Sequence, residues 1–376
     1  MAFLLMLKAT LHYSSIAAAR NQVHIADHTL GEKPADTVKA LVEKARLMRK
    51  FKPLLQRALE PKSSYIYGIK EGDILQSRYK VKEILDSGAT GNIHKVLDSQ
   101  TGETFVIKSL REGVHKNNFI RRFIREASTL SILNHPNIVS IENMGWDNNR
   151  PFIILEYLSS GNFKTLMEDF HTGKIDLNTI LHYAADICDG LEELHSRRII
   201  HRDLKPSNIM VSNQITNDNY PNRKKIKITD FGLVRLNSLD LNFSTISFLT
   251  NSDNQPFGTP LYSAVPDLFN DSIEIDERAD LYSLGILIYE MIMKKLPFSA
   301  EDFFTLREQH LNEKPDFSTI PINVPARLIS LIDKLLAKHP DDRYQTAREV
   351  AVELRSIATP KTISIGLAEL IASRAM

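Results

Sequence analysis

The sequence predicts an α+β protein in which a small β-rich unit is followed by a larger helical unit. Residues 79–109 contain three segments with the two-residue alternation that is typical of β-strands. After Gly161 the pattern changes to the 3.6-residue period of helices, as in residues 180–197. Strands that precede the helices, rather than alternating with them, indicate a two-part α+β arrangement.

Composition restricts the classes of protein that need to be considered. The 376 residues are 43% hydrophobic and 25% charged, which is typical of a globular protein. The net charge of +1 conceals a basic leader, since residues 1–70 carry +7 and the remainder −6. A body with this charge argues against a nucleic-acid-binding core. Cys188 is the only cysteine, which fits a reducing compartment, and we expect a cytoplasmic location.

Four segments are expected along the chain. They are a basic extension at 1–70, a β-rich domain at 71–158, a helical domain at 159–356 and a tail at 357–376. The extension is predicted to contain a basic amphipathic helix over about 36–59, interrupted by Pro53. This helix either binds a regulatory partner or an anionic membrane, or it docks on the rest of the chain.

The β-rich domain is predicted from alternating segments. Strands are expected at 79–85, 92–97 and 104–109, with a glycine turn between the first two. A helix follows over 119–133 and is broken by His135 and Pro136. Two further strands are expected after that break, the last at 152–156.

The turn between the first two strands contains Gly88 and Gly91. Glycines allow main-chain N–H groups to approach a phosphate without a clash from Cβ. Asp86 opens the same turn, and its carboxylate would repel phosphates unless it points away. Taken alone, the turn is equally consistent with an ordinary hairpin.

Three short motifs follow in order, H-R-D-L-K-P-S-N at 201–208, D-F-G at 230–232 and D-L-Y-S-L-G at 280–285. Phosphoryl transfer from ATP needs a carboxylate to orient a hydroxyl, oxygen ligands for magnesium, and positive charge on the phosphates. The first two motifs contain all of these groups.

Together with the glycine turn and the segment Phe105-Val106-Ile107-Lys108, these motifs resemble the eukaryotic-type serine/threonine protein kinase family, in its bacterial form. The resemblance runs from about Tyr79 to about Leu354. It implies a two-lobed kinase fold with a small N-lobe and a larger C-lobe. It also implies ATP and Mg²⁺ as cofactors, with Mn²⁺ as an alternative, and proteins with serine or threonine hydroxyls as substrates.

The resemblance also assigns roles to individual residues. The catalytic residues are Asp203, Lys205, Lys108 and Glu126, and the metal ligands are Asn208 and Asp230. Asp203 would accept the hydrogen bond of the substrate hydroxyl, and Lys205 would neutralise charge on the γ-phosphate. Lys108 would lie over the α- and β-phosphates and be held there by Glu126.

A further set of residues is expected to bind the nucleotide. It comprises Ser87, Gly88, Ala89, Gly91, Ile93, Val106, Lys108, Leu155, Glu156, Leu158 and Met210. Main-chain groups of Glu156 and Leu158 would meet the edge of the adenine. Ile93, Val106 and Met210 would enclose its ring, with valine at a position where alanine is more usual in the family.

The segment from 230 to 267 matches the activation segment of the family, and autophosphorylation of its serines and threonines is expected. Asp280 is expected to anchor the stacked hydrophobic spine that the resemblance assigns to His201, Phe231, Leu130 and Ile141. The alternative is a pseudokinase scaffold that binds partners or nucleotide without transfer, an interpretation motivated by Asp86, by Val106 and by an irregular end to the activation segment. No nucleic-acid partner is expected.

Overall fold

The computed structural model describes residues 69–87, 91–110, 120, 123, 124, 127, 128, 130, 131, 133–147, 150–216, 223–230, 261, 262, 275–321 and 323–358. The chain divides into two compact units. Unit 1 contains Met1–Leu133 and Ile141–Ile154, and unit 2 contains Asn134–Ser140 and Leu155–Met376. The predicted helix at about 36–59 lies outside the described residues. Within those residues, no helix has the length and apolar character needed to cross a membrane.

Unit 1 is built on a six-stranded sheet with the strand order β1-β2-β3-β4-β6-β5. The strands are β1 (Ile74–Leu75), β2 (Tyr79–Ser87), β3 (Gly91–Asp98), β4 (Thr104–Leu110), β5 (Ile141–Asp147) and β6 (Arg150–Glu156). The first four form an antiparallel meander. The described residues between 120 and 130 are helical.

The register of β3 and β4 determines which side chains share a face of this sheet. Ile93 lies opposite Lys108, and Lys95 lies opposite Val106. Residues directly opposite one another point to the same side, as do residues two apart on one strand. Ile93, Val106 and Lys108 therefore lie on one face. The other face carries the buried Ile107 and packs onto an apolar core that includes Val81, Val96 and Phe152.

Unit 2 is mainly helical. Within its described residues the helices are α1 (Phe163–His171), α2 (Leu177–His195), α3 (Arg278–Met293), α4 (Phe303–Asn312), α5 (Ala326–Leu335) and α6 (Ala347–Ile357). Nearly every residue of α3 is buried, as expected for a helix that is apolar on all sides. α2, α5 and α6 each bury one apolar side.

A two-stranded hairpin completes unit 2, and segment 134–140 packs against it. The strands are β7 (Ile209–Ile215) and β8 (Lys224–Ile228). The N–H of Val139 donates to Ile228 O at 2.9 Å, and the N–H of Ile228 donates to Asn137 O at 2.8 Å. These bonds explain why residues 134–140 belong to unit 2. From the sequence, all residues from 71 to 158 were expected to belong to one domain.

A sheet-based unit 1 and a helical unit 2 confirm the predicted α+β class. The strands predicted at 79–85, 92–97, 104–109 and 152–156 coincide with β2, β3, β4 and β6. The hairpin β7–β8 was not predicted, because each of its strands is short and lies beside a motif rather than within a long alternating run. Helices α1, α4 and α6 were not singled out either.

Candidate active site

Asp203, Lys205 and Asn208 lie together in one loop of unit 2. The Nζ of Lys205 is 2.9 Å from Oδ2 of Asp203. The side-chain amide of Asn208 donates to the same oxygen at 2.9 Å and to the main-chain carbonyl of Asp203 at 2.8 Å. A single 3-10 turn at Pro206–Asn208 gives the loop the curvature that brings these side chains together. The carboxylate of Asp203 is therefore held in a defined orientation.

Asn208 is linked to the segment that carries Asp230. The N–H of Thr229, the residue before Asp230, donates to the carbonyl of Asn208 at 2.9 Å. Because the amide nitrogen of Asn208 is used by Asp203, its amide oxygen remains for another partner. An amide oxygen and a carboxylate are ligands that Mg²⁺ prefers, so the two predicted metal ligands fit a magnesium ion.

Two residues of this region have positive φ angles without being glycine. They are Arg202, at 63°, and Asp230, at 59°. Side chains are rarely tolerated in this conformation, which persists only where surrounding contacts enforce it and is concentrated at functional sites. The backbone is therefore strained at the residue before the predicted base and at the predicted metal ligand.

Asp280 on α3 holds the start of this loop. Its carboxylate accepts hydrogen bonds from the main-chain N–H groups of His201 and Arg202, both at 2.8 Å. The Nε2 of His195 lies 2.8 Å from the same carboxylate. Burial alone would raise the pKa of Asp280, but the hydrogen bond and charge of His195, the charge of His201 and the N–H of Arg202 outweigh it and lower the pKa. The carboxylate therefore anchors the main chain at His201, one member of the predicted spine; Phe231, another member, lies outside the described residues.

His195 was not identified from the sequence. It ends α2, and its partner Asp280 lies 85 residues away along the chain. The only signal for it was its position in the last turn of an amphipathic helix, immediately before the motif at 201–208. A histidine there is equally consistent with a favourable interaction with the helix dipole.

Glu156, at the end of β6, is held at both its main chain and its side chain. Its N–H donates to Ser140 O at 3.2 Å, while Oε1 accepts from the N–H of Ser140 at 2.7 Å. The Nζ of Lys227 donates to the same Oε1 at 2.6 Å. The N–H of Glu156 is thus already bonded. Of its main-chain groups, only the C=O can bind the edge of the adenine as the sequence predicted.

Leu158 differs from Glu156 in this respect. Among the described residues, neither its N–H nor its C=O has a hydrogen-bond partner. Met210 lies nearby in the same unit, since it bridges Asn162, and its cross-strand neighbour on β8 is Lys227. Leu155 begins the part of this segment that belongs to unit 2.

The remaining predicted residues belong to unit 1. Ile93, Val106 and Lys108 share the sheet face described above. At Gly91 a Cβ atom would lie 2.5 Å from the carbonyl oxygen of Ser109, so the close approach of β3 and β4 requires glycine there. Gly88, Ala89 and Glu126 lie outside the described residues, and the pairing of Lys108 with Glu126 stays a prediction.

The side chain of Asp86 is engaged with its own turn. Its Oδ1 accepts a hydrogen bond from the N–H of Ser87 at 2.7 Å. Ser87 in turn donates from its hydroxyl to the side chain of Asn92 at 2.9 Å. The carboxylate that raised doubt about phosphate binding therefore interacts with the main chain of the turn.

Unit 1 presents a lysine on one face of a β-sheet, and unit 2 presents a loop with an aspartate, a lysine and an asparagine in mutual contact. A cation, a carboxylate and an amide are the kinds of group that phosphoryl transfer requires. Residues 79–353 match the family model described as the protein kinase domain. The chain belongs to this family, and the predicted membership of the eukaryotic-type serine/threonine protein kinases is confirmed.

Curated relatives support the same assignment. The chain is 32% identical over 292 residues to a probable serine/threonine-protein kinase of Clostridium acetobutylicum, covering 76% of this chain and 41% of that protein. It is 33% identical over 290 residues to the serine/threonine-protein kinase PknB of Mycobacterium tuberculosis, covering 74% of this chain and 43% of that protein. The chain thus spans about two fifths of the length of these relatives.

The fold is also similar to that of solved structures. The kinase domain of PknI from Mycobacterium tuberculosis superposes with a TM-score of 0.57 at 21% identity, over 77% of this chain and 100% of that domain. At this identity the likeness concerns the fold alone. It confirms the prediction of a kinase fold with a β-rich N-lobe and a helical C-lobe.

Proposed function

We propose that this chain is an ATP-dependent serine/threonine protein kinase that phosphorylates protein substrates and its own activation segment. The observation that carries the proposal is the contact of Lys205 and Asn208 with the carboxylate of Asp203. A carboxylate fixed by a cation and an amide is suited to orient a hydroxyl, which is the main requirement of a loose phosphoryl-transfer transition state.

In the proposed reaction, the substrate oxygen forms a bond to the γ-phosphorus while the bond from that phosphorus to the bridging oxygen of ADP breaks. Asp203 accepts the hydrogen bond of the hydroxyl and receives its proton. Lys205 balances the charge on the transferred group. Mg²⁺, held by Asn208 and Asp230, would neutralise the phosphates, with Mn²⁺ as an alternative.

The serine/threonine specificity rests on Lys205 within the sequence D-L-K-P and on the names of the curated relatives. Autophosphorylation rests on the serines and threonines between 238 and 259, which lie outside the described residues. Arg202, held through its main chain by Asp280, would meet a phosphate there through a charge-assisted hydrogen bond.

The test is transfer of radiolabel from γ-labelled ATP with Mg²⁺, on the chain itself and on a basic protein substrate. The wild type is compared with Asp230→Ala and with Asp333→Ala, an exposed aspartate on α5 that serves as a matched control. Label on serine or threonine that is lost only in Asp230→Ala is the expected result.

Two outcomes would contradict the proposal. Label found on tyrosine alone would make the assigned specificity wrong. A wild type that binds ADP but transfers no label, whether or not its own segment is first phosphorylated by another kinase, would favour the pseudokinase scaffold instead.

A further inference from the structure

Residues 156–160 of unit 2, which we call the hinge segment, are attached at both ends to the hairpin β7–β8. The first attachment is at Glu156 and the second at Ser159 and Ser160. Leu158, whose main chain has no hydrogen-bond partner among the described residues, lies between them. Contacts on both sides of Leu158 therefore hold the segment in place.

The first attachment is the ion pair between Lys227 of β8 and Glu156. The two charged groups are 2.6 Å apart, and their side chains are only 15% and 23% exposed. The same carboxylate oxygen also accepts the N–H of Ser140. At this degree of burial a carboxylate depends on its partners, because water compensates little for their loss.

The second attachment consists of two hydrogen bonds made by the side-chain amide of Asn213 on β7. The amide nitrogen of Asn213 donates to the hydroxyl of Ser159, and the hydroxyl of Ser160 donates to the amide oxygen of Asn213. One residue further on, the carbonyl of Gly161 accepts the N–H of Val211 at 2.9 Å. The end of the hinge segment is thereby aligned with β7.

The hairpin that holds the hinge segment carries Met210, assigned to nucleotide binding, and leads to Asp230, assigned as a metal ligand. Met210 on β7 is the cross-strand neighbour of Lys227. Asp230 lies two residues after the end of β8, and the N–H of the intervening Thr229 donates to the carbonyl of Asn208. Lys227 therefore links the main chain that can bind a base to the strand that precedes the metal ligand.

We propose that Lys227 and Asn213 are positioning residues that fix the hinge segment so that Leu158 can bind the edge of a purine base. The proposal rests on the function proposed above. A donor and an acceptor on one residue match the acceptor and donor of the adenine edge. Holding them in place before the nucleotide arrives removes an ordering cost that binding would otherwise meet.

The experiment measures two quantities for each variant. The first is the dissociation constant for Mg²⁺-ADP by calorimetry, which does not require transfer. The second is the pair KM for ATP and kcat. The variants are Lys227→Met, Lys227→Arg, Asn213→Ala and the control Lys225→Met. Lys225 lies on the same strand and face, and its Nζ bonds Gln214 rather than the hinge segment.

Lys227→Met is expected to raise both the ADP dissociation constant and KM about tenfold, with kcat within about twofold of the wild type. Asn213→Ala is expected to raise them about threefold. Lys227→Arg keeps a cation and a donor and should restore near wild-type values. Lys225→Met should change neither quantity.

The proposal is overturned if Lys227→Met and Asn213→Ala bind ADP as tightly as the wild type, or if Lys225→Met loses as much affinity as Lys227→Met. A loss of kcat at unchanged KM also overturns it. If Lys227→Met does not fold, Asn213→Ala and Lys227→Arg decide. A wild type that binds ADP without transfer contradicts the kinase function while the comparison of ADP affinities still decides this proposal.

Discussion

The imidazole Nε2 of His195 lies 2.8 Å from the carboxylate of Asp280, joining the last turn of α2 to the first turn of α3. Both side chains are buried, and Asp280 also accepts two main-chain N–H groups from the loop that contains Asp203. The contact connects the core of unit 2 to the loop on which the proposed chemistry depends.

Replacing Asp280 should therefore affect stability and turnover together. Asp280→Ala leaves the N–H groups of His201 and Arg202 without their acceptor in a buried place. We expect the free energy of unfolding to fall by about 3 kcal/mol, since each unsatisfied buried donor costs about 1–3 kcal/mol, and kcat to fall as well. Urea denaturation and a kinase assay provide the two measurements.

Asp341→Ala is the control for this experiment. Asp341 is likewise a paired carboxylate, since it contacts Arg278, but its side chain is 70% exposed. Its removal should leave the free energy of unfolding nearly unchanged, because water screens an ion pair this exposed. Equal losses of stability in Asp280→Ala and Asp341→Ala would mean that the anchoring contact of Asp280 does not stabilise the loop.

Asp203→Asn should separate catalysis from binding. The amide keeps the size of the side chain but cannot receive the proton of the hydroxyl. We expect kcat to fall by a factor of about 10² to 10⁴, with the affinity for Mg²⁺-ADP within about twofold of the wild type. Steady-state kinetics and calorimetry on the same preparation test this. A drop in ADP affinity as large as the drop in kcat would contradict the assigned role.

Gly91→Ala should destabilise the junction of β3 and β4. The new Cβ would lie 2.5 Å from the carbonyl oxygen of Ser109, a main-chain atom that can move only if the strands separate. We expect a loss of about 1–3 kcal/mol and weaker binding of nucleotide. Thermal unfolding and ADP titration are the measurements.

Gly102→Ala is a useful comparison for Gly91→Ala. A Cβ at Gly102 would meet nothing within 4 Å, but the residue has a φ of +73°. The substitution should lower the free energy of unfolding by about 1 kcal/mol through backbone conformation alone. It should leave ADP binding unchanged. If both variants lost ADP affinity equally, a specific role for the close contact at Gly91 would be wrong.

Stability below neutral pH should depend on His310. Burial lowers the pKa of this histidine to about 3, and the charge of Lys338 acts in the same direction. The unfolded chain takes up a proton below its ordinary pKa of about 6.5, whereas the folded chain does not. The unfolding free energy should therefore decrease as pH falls from 6.5 towards 3, by at most about 1.4 kcal/mol per pH unit from this group.

His310→Gln removes the titrating group and tests this sign. The variant should show a shallower decrease of stability between pH 6.5 and 4 in denaturant titrations, even if it is less stable at pH 7. Tyr282, whose hydroxyl lies 3.0 Å from Nδ1 of His310, can bond the glutamine instead. Identical slopes in the two proteins would show that His310 titrates normally in the folded state.

Much of the candidate site could be predicted because its residues are neighbours in the sequence. Asp203, Lys205 and Asn208 fall within one short loop, and their contact requires only the local turn at Pro206–Asn208. Lys108 and Ile93 are further apart: alternation predicted the strands that carry them, and the register seen in the structure places them on one face.

Other contributors could not be predicted because their partners are distant in the sequence. Glu156 and Lys227 are separated by 71 residues, and Ser160 and Asn213 by 53. A lone lysine on a strand and an asparagine in a polar run have no periodicity that would indicate such partners. These contacts form only because β7 and β8 pair beside the end of β6.

The sequence by itself determined the class of fold, the family and the groups available for chemistry, because strand alternation, helical periodicity and the motif at 201–208 are local properties. Only the tertiary structure decided that His195 supports Asp280, that Lys227 holds Glu156 and that the N–H of Glu156 is already bonded. The physical reason is that hydrogen bonds and ion pairs act over about 3 Å. Such short distances between remote residues arise only after the helices and strands have packed together.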